Sequence, residues 1–195
     1  MLLNPIGYNR VYIHLDGPLS YAGWWEGLRA GRVFVSNGPL LRCNANGRLP
    51  GHIFTSSSGE EIKLRIEAAL DSRDPVPAIE IIKNGRIDRV VPFADWQRTG
   101  SLGELVFKES GWFLIRAIAD VPHTFRFAST GPFYVQVGPL PFRINKTSAR
   151  FFLDWVRERI VRINLDNPEE RVEVLKPHHA AEKFWQEKLA QANAD

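Results

Sequence analysis

Short stretches in which apolar and polar residues alternate fill the chain between Pro39 and about Val137. In IKLRIEAAL (residues 62–70), apolar residues occupy every second position, and lysine, arginine and glutamate lie between them. This period of two predicts a strand with one face in a core and the other in water. GWFLIRAIAD is apolar at nearly every position, which predicts a central strand. The whole pattern predicts an antiparallel, immunoglobulin-like β-sandwich over residues 39–143.

Two Asn-Gly pairs, Asn46-Gly47 and Asn84-Gly85, follow such stretches. Both central residues of a type I′ turn need a positive φ, which asparagine and glycine adopt most readily. The two pairs therefore predict tight reversals of the chain between neighbouring strands.

The first 38 residues change from a strand pattern to a helical pattern and back. RVYIHLD alternates like a strand, SYAGWWEGLRAGR has helical spacing, and VFVS is again typical of a strand. Ser20 is a suitable N-cap, and Gly31 is a suitable helix terminator. The order strand, helix, strand predicts a βαβ unit, and one such unit cannot bury both faces of its own strands. Residues 1–38 are therefore predicted to be the end of a larger structure.

A helical pattern returns in residues 144–195. Apolar residues in TSARFFLDWVRERIVRINL form one stripe, and Asn167 followed by Pro168 is a typical helix start. Pro177 is predicted to end one helix, so that a separate last helix follows it. Because such stripes need a packing partner, these C-terminal helices are predicted to pack on the body of the protein. They would cover the apolar edge left by residues 8–38, or the chain would form a homo-oligomer through that edge.

Composition and charge exclude several classes of partner. The 195 residues include 25 basic and 22 acidic side chains that are interspersed, so the formal charge of +3 creates no basic stripe and nucleic acid is not expected. No stretch reaches the length of a transmembrane helix, so a membrane is not expected either. The first residues do not form a signal peptide, which predicts a soluble, cytoplasmic chain if Met1 is the true start. The single cysteine, Cys43, is expected to be structural.

The sequence contains no recognisable catalytic motif. His14 and Asp16 could form a metal pair, but a catalytic metal usually needs three protein ligands. His178, His179 and Glu182 have helical spacing that suits zinc, yet they begin a polar helix, and a surface position is favoured. No catalytic residue, metal ligand or cofactor is therefore predicted for this chain.

Several segments are similar to a known family. NPIGYNRVYIHLDGPLSYAGWWEGLRAGRVFVSNGPLL resembles the C-terminal part of the PHP (polymerase and histidinol phosphatase) superfamily, in its CehA/McbA-like metallohydrolase branch. In those proteins a metal-binding α/β barrel ends with a Trp-rich helix and a strand of this kind, and leads into a β-sandwich. PAIEIIKNGRI, SGWFLIRA and FASTGPFYVQVG resemble that sandwich, so the resemblance spans residues 4–138.

This resemblance implies a protein reduced to a barrel remnant and a sandwich. The family's metal ligands are a His-x-His, further His, Asp and Glu residues and a late Asp-x-His, and they lie upstream of the matched region. None corresponds to a residue of this sequence, so a divalent metal such as Zn, Mn or Fe is expected only with a barrel domain that the chain lacks. The matched residues nearest the expected barrel mouth, and so candidates for contact with a substrate, are Arg10, His14 and Asn37.

Three functions remain open. The leading hypothesis is a non-catalytic β-sandwich module with a structural or binding role, so the chain alone is not expected to be an enzyme. The second is a fragment of a longer metal-dependent hydrolase, of the phosphoesterase or amidohydrolase type, whose barrel lies upstream. The third is an independent sandwich that binds a carbohydrate or another small molecule, which the sequence does not identify. It predicts exposed aromatic side chains on one sheet face, and burial of all four of Trp24, Trp25, Trp96 and Trp112 would count against it.

Overall fold

The computed structural model of the chain describes residues 7–57, 59–139 and 143–194. Two compact units follow one another along the sequence, Met1–Leu140 and Pro141–Asp195. Residues 1–6, with which the predicted segment 1–38 begins, lie outside the described residues, as do residues 140–142 next to the predicted boundary at 143.

The first unit is built mainly from strands. Its elements, in chain order, are β1 (Arg10–Ile13), α1 (Tyr21–Arg29), β2 (Val33–Ser36), β3 (Leu40–Ala45), β4 (Ile53–Ser56), β5 (Ile62–Asp71), β6 (Ala78–Lys83), β7 (Arg86–Pro92), α2 (Phe93–Thr99), β8 (Ser101–Phe107), β9 (Gly111–Ala119), β10 (Arg126–Thr130) and β11 (Phe133–Val137). The second unit contains α3 (Lys146–Arg162) and α4 (Pro168–Ala190). The prediction of a β-rich fold followed by C-terminal helices is confirmed.

Within the described residues, the strands of the first unit form two sheets. Sheet A has eight strands in the order β1-β2-β10-β9-β11-β4, with β6 on the other side of β9 and β7 next to β6. Sheet B has three strands in the order β3-β5-β8. The expectation of a purely antiparallel sandwich is wrong, because β4 runs parallel to β11. The largest fully buried core side chains come from both sheets: Leu41, Leu64, Ile66, Leu102, Leu105 and Phe107 from sheet B, and Ile79, Ile81, Phe113, Ile115 and Phe133 from sheet A.

β9 is the central strand of sheet A, as its sequence predicts. It is paired with β6 along one edge, and with β10 and then β11 along the other. The register shifts by one residue between β10 and β11, and there the Thr130 hydroxyl accepts a hydrogen bond from the Ile115 amide (3.1 Å). A buried N–H group is thereby satisfied at the point where the ladder is interrupted.

Both Asn-Gly pairs form the predicted tight turns, but only Asn84-Gly85 joins neighbouring strands, because β3 and β4 on either side of Asn46-Gly47 lie in different sheets. The two residues of each pair have positive φ values, 50° and 85° at Asn84-Gly85 and 46° and 74° at Asn46-Gly47. The first pair connects β6 to β7, and the second reverses the chain after β3. The turn depends only on the φ values of its two central residues, so an Asn-Gly pair is enough to predict it.

The prediction of a βαβ unit is wrong, because the second strand runs in the opposite direction. β1 and β2 are antiparallel neighbours, whereas the strands of a βαβ unit are parallel. The helix α1 begins after its N-cap Ser20 and ends before Gly31, whose φ of 73° is the left-handed conformation that glycine adopts without strain. After this turn the His14 amide donates to the Arg32 carbonyl (2.9 Å), so the chain runs back along β1.

The predicted segment 1–38 is joined to the sandwich by hydrogen bonds. β2 pairs with β10 as well as with β1, so both strands continue sheet A instead of forming a separate barrel-like piece. Asn37-Gly38-Pro39 is the turn that leads from β2 in sheet A to β3 in sheet B. At Gly38 an added Cβ would stand 3.1 Å from the Cβ of Arg126, so this corner packs closely on β10.

Three glycines meet where the α1–β2 turn, the β3–β4 loop and the β10–β11 junction cross. A Cβ on Gly51 would overlap the carbonyl oxygen of Ala30, and a Cβ on Gly131 would stand 2.7 Å from the carbonyl oxygen of Gly31. The Gly51 amide donates to the Pro132 carbonyl (2.8 Å). Backbones approach this closely only where side chains are absent, so the crossing requires glycine.

The second unit is a helical hairpin. Phe152 of α3 stacks on Trp185 of α4 with ring centroids 4.6 Å apart, and Arg157 donates to Glu182 (2.9 Å). Leu153 is buried. That these helices pack on the body of the protein stays a prediction.

Pro177 lies inside α4, so the predicted interruption of this helix is wrong. A proline in a helix removes one hydrogen bond, whose acceptor here would be the Glu173 carbonyl. This turn of α4 is exposed, and a carbonyl on the solvent side of a helix can bond to water instead. Next to it, Nδ1 of His178 lies 2.8 Å from the Val174 carbonyl.

Candidate binding groove

The three candidate substrate-side residues do not converge on one site. Arg10 and Asn37 lie at one end of the β1–β2 pair, where Arg10 is opposite Ser36. His14 lies beyond the other end, four residues further along the strand, which corresponds to about 13 Å. Arg10 is exposed, and its Nε donates to the Gly7 carbonyl (2.7 Å). The structure therefore brings two of the three together and leaves His14 apart.

Asn37 has a structural role. Its Nδ2 donates to the Phe125 carbonyl (2.9 Å), and its Oδ1 accepts from the Phe127 amide (2.8 Å). The carboxamide thus bonds like a peptide group and extends the pairing of β2 with β10 beyond the end of β2. Both polar ends of this side chain are used within the fold.

His14 and Asp16 lie close together at the end of β1, beside Arg32. Nε2 of His14 is 3.5 Å from Oδ1 of Asp16, and the Arg32 guanidinium forms ion pairs with Asp16 and with Glu26 (2.9 Å to Glu26). Nε of Arg32 is buried and has no hydrogen-bond partner within the described part of the chain. Across residues 7–57, 59–139 and 143–194, no group of three or more His, Cys, Asp or Glu side chains is arranged to hold a metal ion.

The histidine pair of α4 is bonded within the helical hairpin. Arg157 donates to Glu182, and this hydrogen bond lowers the pKa of the Glu182 carboxyl group. Nδ1 of His179 lies 3.8 Å from Glu182, while His178 contacts the Val174 carbonyl. The Arg157–Glu182 hydrogen bond links α3 to α4, whereas both histidine contacts lie within α4.

A groove of about 990 Å³ lies along β3, inside the first unit. It exists because sheet A is wider than sheet B, so that β1 and β2 extend past β3. Tyr12 is opposite Phe34, and Phe34 is opposite the buried Thr130, so the two aromatic side chains share the core-facing side of sheet A. Their rings stack at 4.6 Å and line the groove, followed by His14 and Arg32 at the end of the two strands.

The wall of the groove on the side of sheet B is formed by β3 and by residues 67–69 and 71 of β5. Within the described residues, β5 is the only strand paired with β3. The amide and carbonyl of Ala45 bond to Arg48 (2.9 and 2.8 Å) and so point away from β5. Successive residues of an antiparallel strand direct these groups to opposite edges, so those of Leu41 and Cys43 also point away from β5. These groups are covered within the fold, because Leu41 is 0% exposed and Cys43 is 6% exposed.

Charged side chains border the groove on the outer face of sheet B. Nη2 of Arg42 is 3.6 Å from Asp71, and both side chains are 71% exposed. Nδ2 of Asn44 donates to Glu67 (3.2 Å). Exposed ion pairs at such distances contribute little to stability, so Arg42 can exchange its partner for a ligand at small cost.

Cys43 faces the core and is 6% exposed. Burial raises the pKa of its thiol far above the ordinary range of cysteine. Because the thiolate is the nucleophile and metal ligand, a thiol held protonated does not act as either. The interpretation of Cys43 as a structural residue is confirmed.

The four tryptophans that test the carbohydrate hypothesis differ in exposure. Trp96 is buried, Trp24 and Trp112 are half-buried, and Trp25 is 37% exposed. Trp25 lies on α1 beside Tyr21, which is 82% exposed, with ring centroids 6.1 Å apart. Trp25, the one exposed tryptophan of the four, therefore lies on a helix and not on the sheet face that the carbohydrate hypothesis predicts.

Sequence reasoning missed the groove residues Tyr12, Phe34 and Arg42. The alternation of RVYIHLD places Tyr12 on the same side as His14, and this was a usable signal. No local sequence pattern marks Phe34 or Arg42 as a groove residue, because the groove arises from the unequal widths of the two sheets.

No family model matches the chain, and no curated protein matches it. Among solved structures, the fibronectin(III)-like modules of Clostridium thermocellum CbhA are similar to part of the chain. The alignment has a TM-score of 0.31 and 13% sequence identity, and it covers 49% of this chain and 98% of that chain. A likeness at this level carries no inference about function. None of the helices within the described residues is both long and apolar enough to cross a membrane.

Proposed function

We propose that the chain is a non-catalytic binding module built on an immunoglobulin-like sandwich, with the groove along β3 as its binding site. The observation that carries this proposal is the overhang of sheet A, which leaves the stacked rings of Tyr12 and Phe34 half-buried in the groove beside β3. A concave site with apolar walls and a few polar groups is the usual form of a ligand site.

The arrangement of the candidate residues supports binding over catalysis. Acid–base and nucleophilic catalysis need at least two groups within hydrogen-bonding reach of one reacting centre. His14 is separated from Arg10 and Asn37 by the length of β1, and the Asn37 carboxamide is bonded to the backbone before β10 and at its start. In the groove itself, the Cys43 thiol is buried and protonated.

Metal content and hydrolysis test the non-catalytic part of this proposal. The purified chain is incubated with zinc, manganese or iron, desalted, and analysed for bound metal and for hydrolysis of phosphate esters and amides. We expect substoichiometric metal and no hydrolysis above the blank. One retained metal ion per chain, lost in both His14→Ala and Asp16→Ala, would contradict the proposal.

We propose as a second candidate that the chain is the C-terminal part of a longer PHP-type, metal-dependent hydrolase of the phosphoesterase or amidohydrolase class. The positions that carry the resemblance support it, because Gly31, Asn37 and Gly131 all lie at the junction that leads into the sandwich. In that protein, zinc, manganese or iron would be held by the barrel and not by these residues. Reading the gene upstream in frame tests this: a His-x-His within a few hundred bases supports it, and a stop codon directly before Met1 removes it.

A carbohydrate-binding role is a third candidate, favoured by the exposed pair Tyr21 and Trp25 on α1. Aromatic faces of this kind stack on the apolar faces of sugars. Tryptophan fluorescence during titration with soluble oligosaccharides tests it, and we expect the signal to be lost in Trp25→Ala but kept in Trp112→Phe. A response unchanged by Trp25→Ala would remove this candidate.

A further inference from the structure

We propose that two basic side chains, Arg89 and Lys83, form a clasp that closes the outer edge of β8 to pairing with a second copy of the chain. β8 is an edge strand of sheet B, and its outer edge is the side that faces away from β5. Three carbonyl groups of this edge, at Leu102, Glu104 and Val106, accept hydrogen bonds from the clasp. The groove lies along β3, at the opposite edge of sheet B, so this inference is independent of the proposed binding function.

The outer edge of β8 has the backbone groups that an added strand needs. Opposite Glu104, the amide and carbonyl of Arg65 bond to Asn46 and so point away from β8. Arg65 and Glu104 are therefore a pair without mutual hydrogen bonds, and the N–H and C=O groups of Glu104 point away from β5. Those of Val106, two residues further along, point the same way.

A second copy of the chain is the partner that suits such an edge. Unpaired backbone groups in a row form a template for any strand that reaches them in an extended conformation. Two copies of one edge strand can pair antiparallel about a two-fold axis, which is the commonest symmetry of homodimers. An unprotected β8 would therefore carry a surface for self-association.

Arg89 takes the place of a neighbouring strand at two of the three carbonyl groups. Its Nη1 donates to the Leu102 carbonyl (3.0 Å), and its Nη2 donates to the Glu104 carbonyl (2.9 Å). Arg89 belongs to β7 of sheet A, so its side chain crosses from one sheet to the edge of the other. A hydrogen bond from a charged donor is stronger than one between neutral backbone groups, and an incoming strand would have to displace it.

Gly103 makes room for this guanidinium group. An added Cβ on Gly103 would stand 2.5 Å from Nη1 of Arg89. The pairing of β5 with β8 also shifts its register at this point, between Ile66 and Glu67. Such a bulge bends a strand and disrupts its ladder, which is another way in which edges avoid pairing. The bulge and Arg89 therefore act on the same part of the edge.

Lys83 closes the third carbonyl group. Its Nζ donates to the Val106 carbonyl (2.6 Å) and lies 4.2 Å from the centre of the Phe107 ring. The aromatic face attracts the ammonium group and holds it beside the edge. Lysine is a residue with which natural sheets commonly protect their edges. Together, Lys83 and Arg89 cover the outward carbonyl groups from Leu102 to Val106.

Self-association of a clasp variant tests the proposal. In Lys83→Met/Arg89→Met, methionine keeps the apolar part of each side chain and removes the charged donors. We expect this double variant to form dimers at a concentration at least about tenfold lower than the parent does, measured by sedimentation velocity of the full chain. A folded double variant that associates no more than the parent would overturn the proposal.

The matched control is Lys63→Met/Arg86→Met. It also removes one lysine and one arginine from the first unit, and both side chains are exposed and lie outside the clasp. We expect the control to associate no more than the parent. Equal association of the two double variants would assign the effect to lost charge and would contradict the clasp.

Amide hydrogen exchange locates the interface. In the clasp variant, we expect the protection of the Glu104 and Val106 amides to increase with protein concentration, because a paired edge bonds these groups. In the parent, we expect their exchange to be independent of concentration. Dimers of the variant that leave these two amides unchanged would place the association on another surface and would overturn the proposal.

A glycine variant disturbs the clasp without removing its charges. Gly103→Ala places a Cβ where Nη1 of Arg89 now lies, so the guanidinium has to move. Gly59→Ala is its control, because its φ of 85° is close to the 87° of Gly103 and an added Cβ meets nothing within 4 Å. We expect self-association in Gly103→Ala and none beyond that of the parent in Gly59→Ala. If the double variant does not fold, this pair decides, and equal association of the two glycine variants overturns the proposal.

Discussion

Gly51 lies against the carbonyl group of Ala30, with no room between them for a side chain. Its φ of 88° is also a conformation that residues with a side chain rarely adopt. Gly51→Ala therefore adds a backbone overlap to a strained conformation at the crossing of three segments. We expect the free energy of unfolding, measured by urea denaturation, to fall by about 3 kcal/mol or more.

Gly47 provides the matched control for this prediction. Its φ of 74° is similar, but an added Cβ would meet nothing within 4 Å. Gly47→Ala should therefore lower the free energy of unfolding by only about 1 kcal/mol, the cost of a positive φ at alanine. Equal losses in the two variants would show that the overlap with Ala30 has no energetic effect.

The two hydrogen bonds of Asn37 lead to a second prediction. The side chain bonds the Phe125 carbonyl and the Phe127 amide, and alanine would leave both without this partner. We expect Asn37→Ala to lower the free energy of unfolding by about 2 kcal/mol. Arg10→Ala, at the exposed residue near the same end of β1, should change it by less than about 0.5 kcal/mol. An Asn37→Ala variant as stable as the parent would return Asn37 to the substrate-side candidates.

Local patterns in the sequence predicted the parts of the fold that depend on neighbouring residues. Alternation placed Leu64 and Ile66 in the core, and Asn84-Gly85 defined a hairpin, because strand faces and tight turns are decided within a few positions. Ser20 and Asn167 were found as N-caps for the same reason.

Local patterns could not predict which distant strands pair, because such pairing depends on residues far apart in the sequence. The direction of β2 is set by hydrogen bonds to β10, and Asn37 bonds the amide of Phe127, which is 90 residues away. The groove arises because sheet A has eight strands and sheet B has three. No single segment of the sequence predicts this difference in the number of strands. Of the groove residues, the sequence therefore identified only His14 as a candidate, and His14 lies on the same strand face as Tyr12.

The burial of Cys43 leads to a prediction about thiol reactivity. Burial raises the pKa of the thiol and closes access to reagents, so labelling requires opening of the sandwich. At mildly alkaline pH, we expect a thiol reagent to modify the native protein at least about a hundredfold more slowly than the urea-unfolded chain. Complete labelling of the native protein at the rate of the unfolded chain would mean that the β3 edge opens readily.

His52 makes the stability of the first unit depend on pH. Its ring packs edge-on against Phe54 with centroids 4.7 Å apart, and burial together with the charge of Arg48 lowers the pKa of the imidazole from its ordinary value of 6.5. The unfolded chain therefore binds a proton at a pH where the folded protein does not, so this contribution to stability is present above pH 6.5 and is lost as the pH falls through the lowered value.

We expect the free energy of unfolding to decrease between about pH 7.5 and about pH 5, and to decrease less in His52→Gln, which has no proton to bind. Arg48→Gln should reduce the difference between the two proteins without removing it, because burial is the larger cause of the shift. Urea denaturation across this range measures all three slopes. If His52→Gln has the same slope as the parent, the pH dependence arises from other groups and the packing of His52 on Phe54 does not control its protonation.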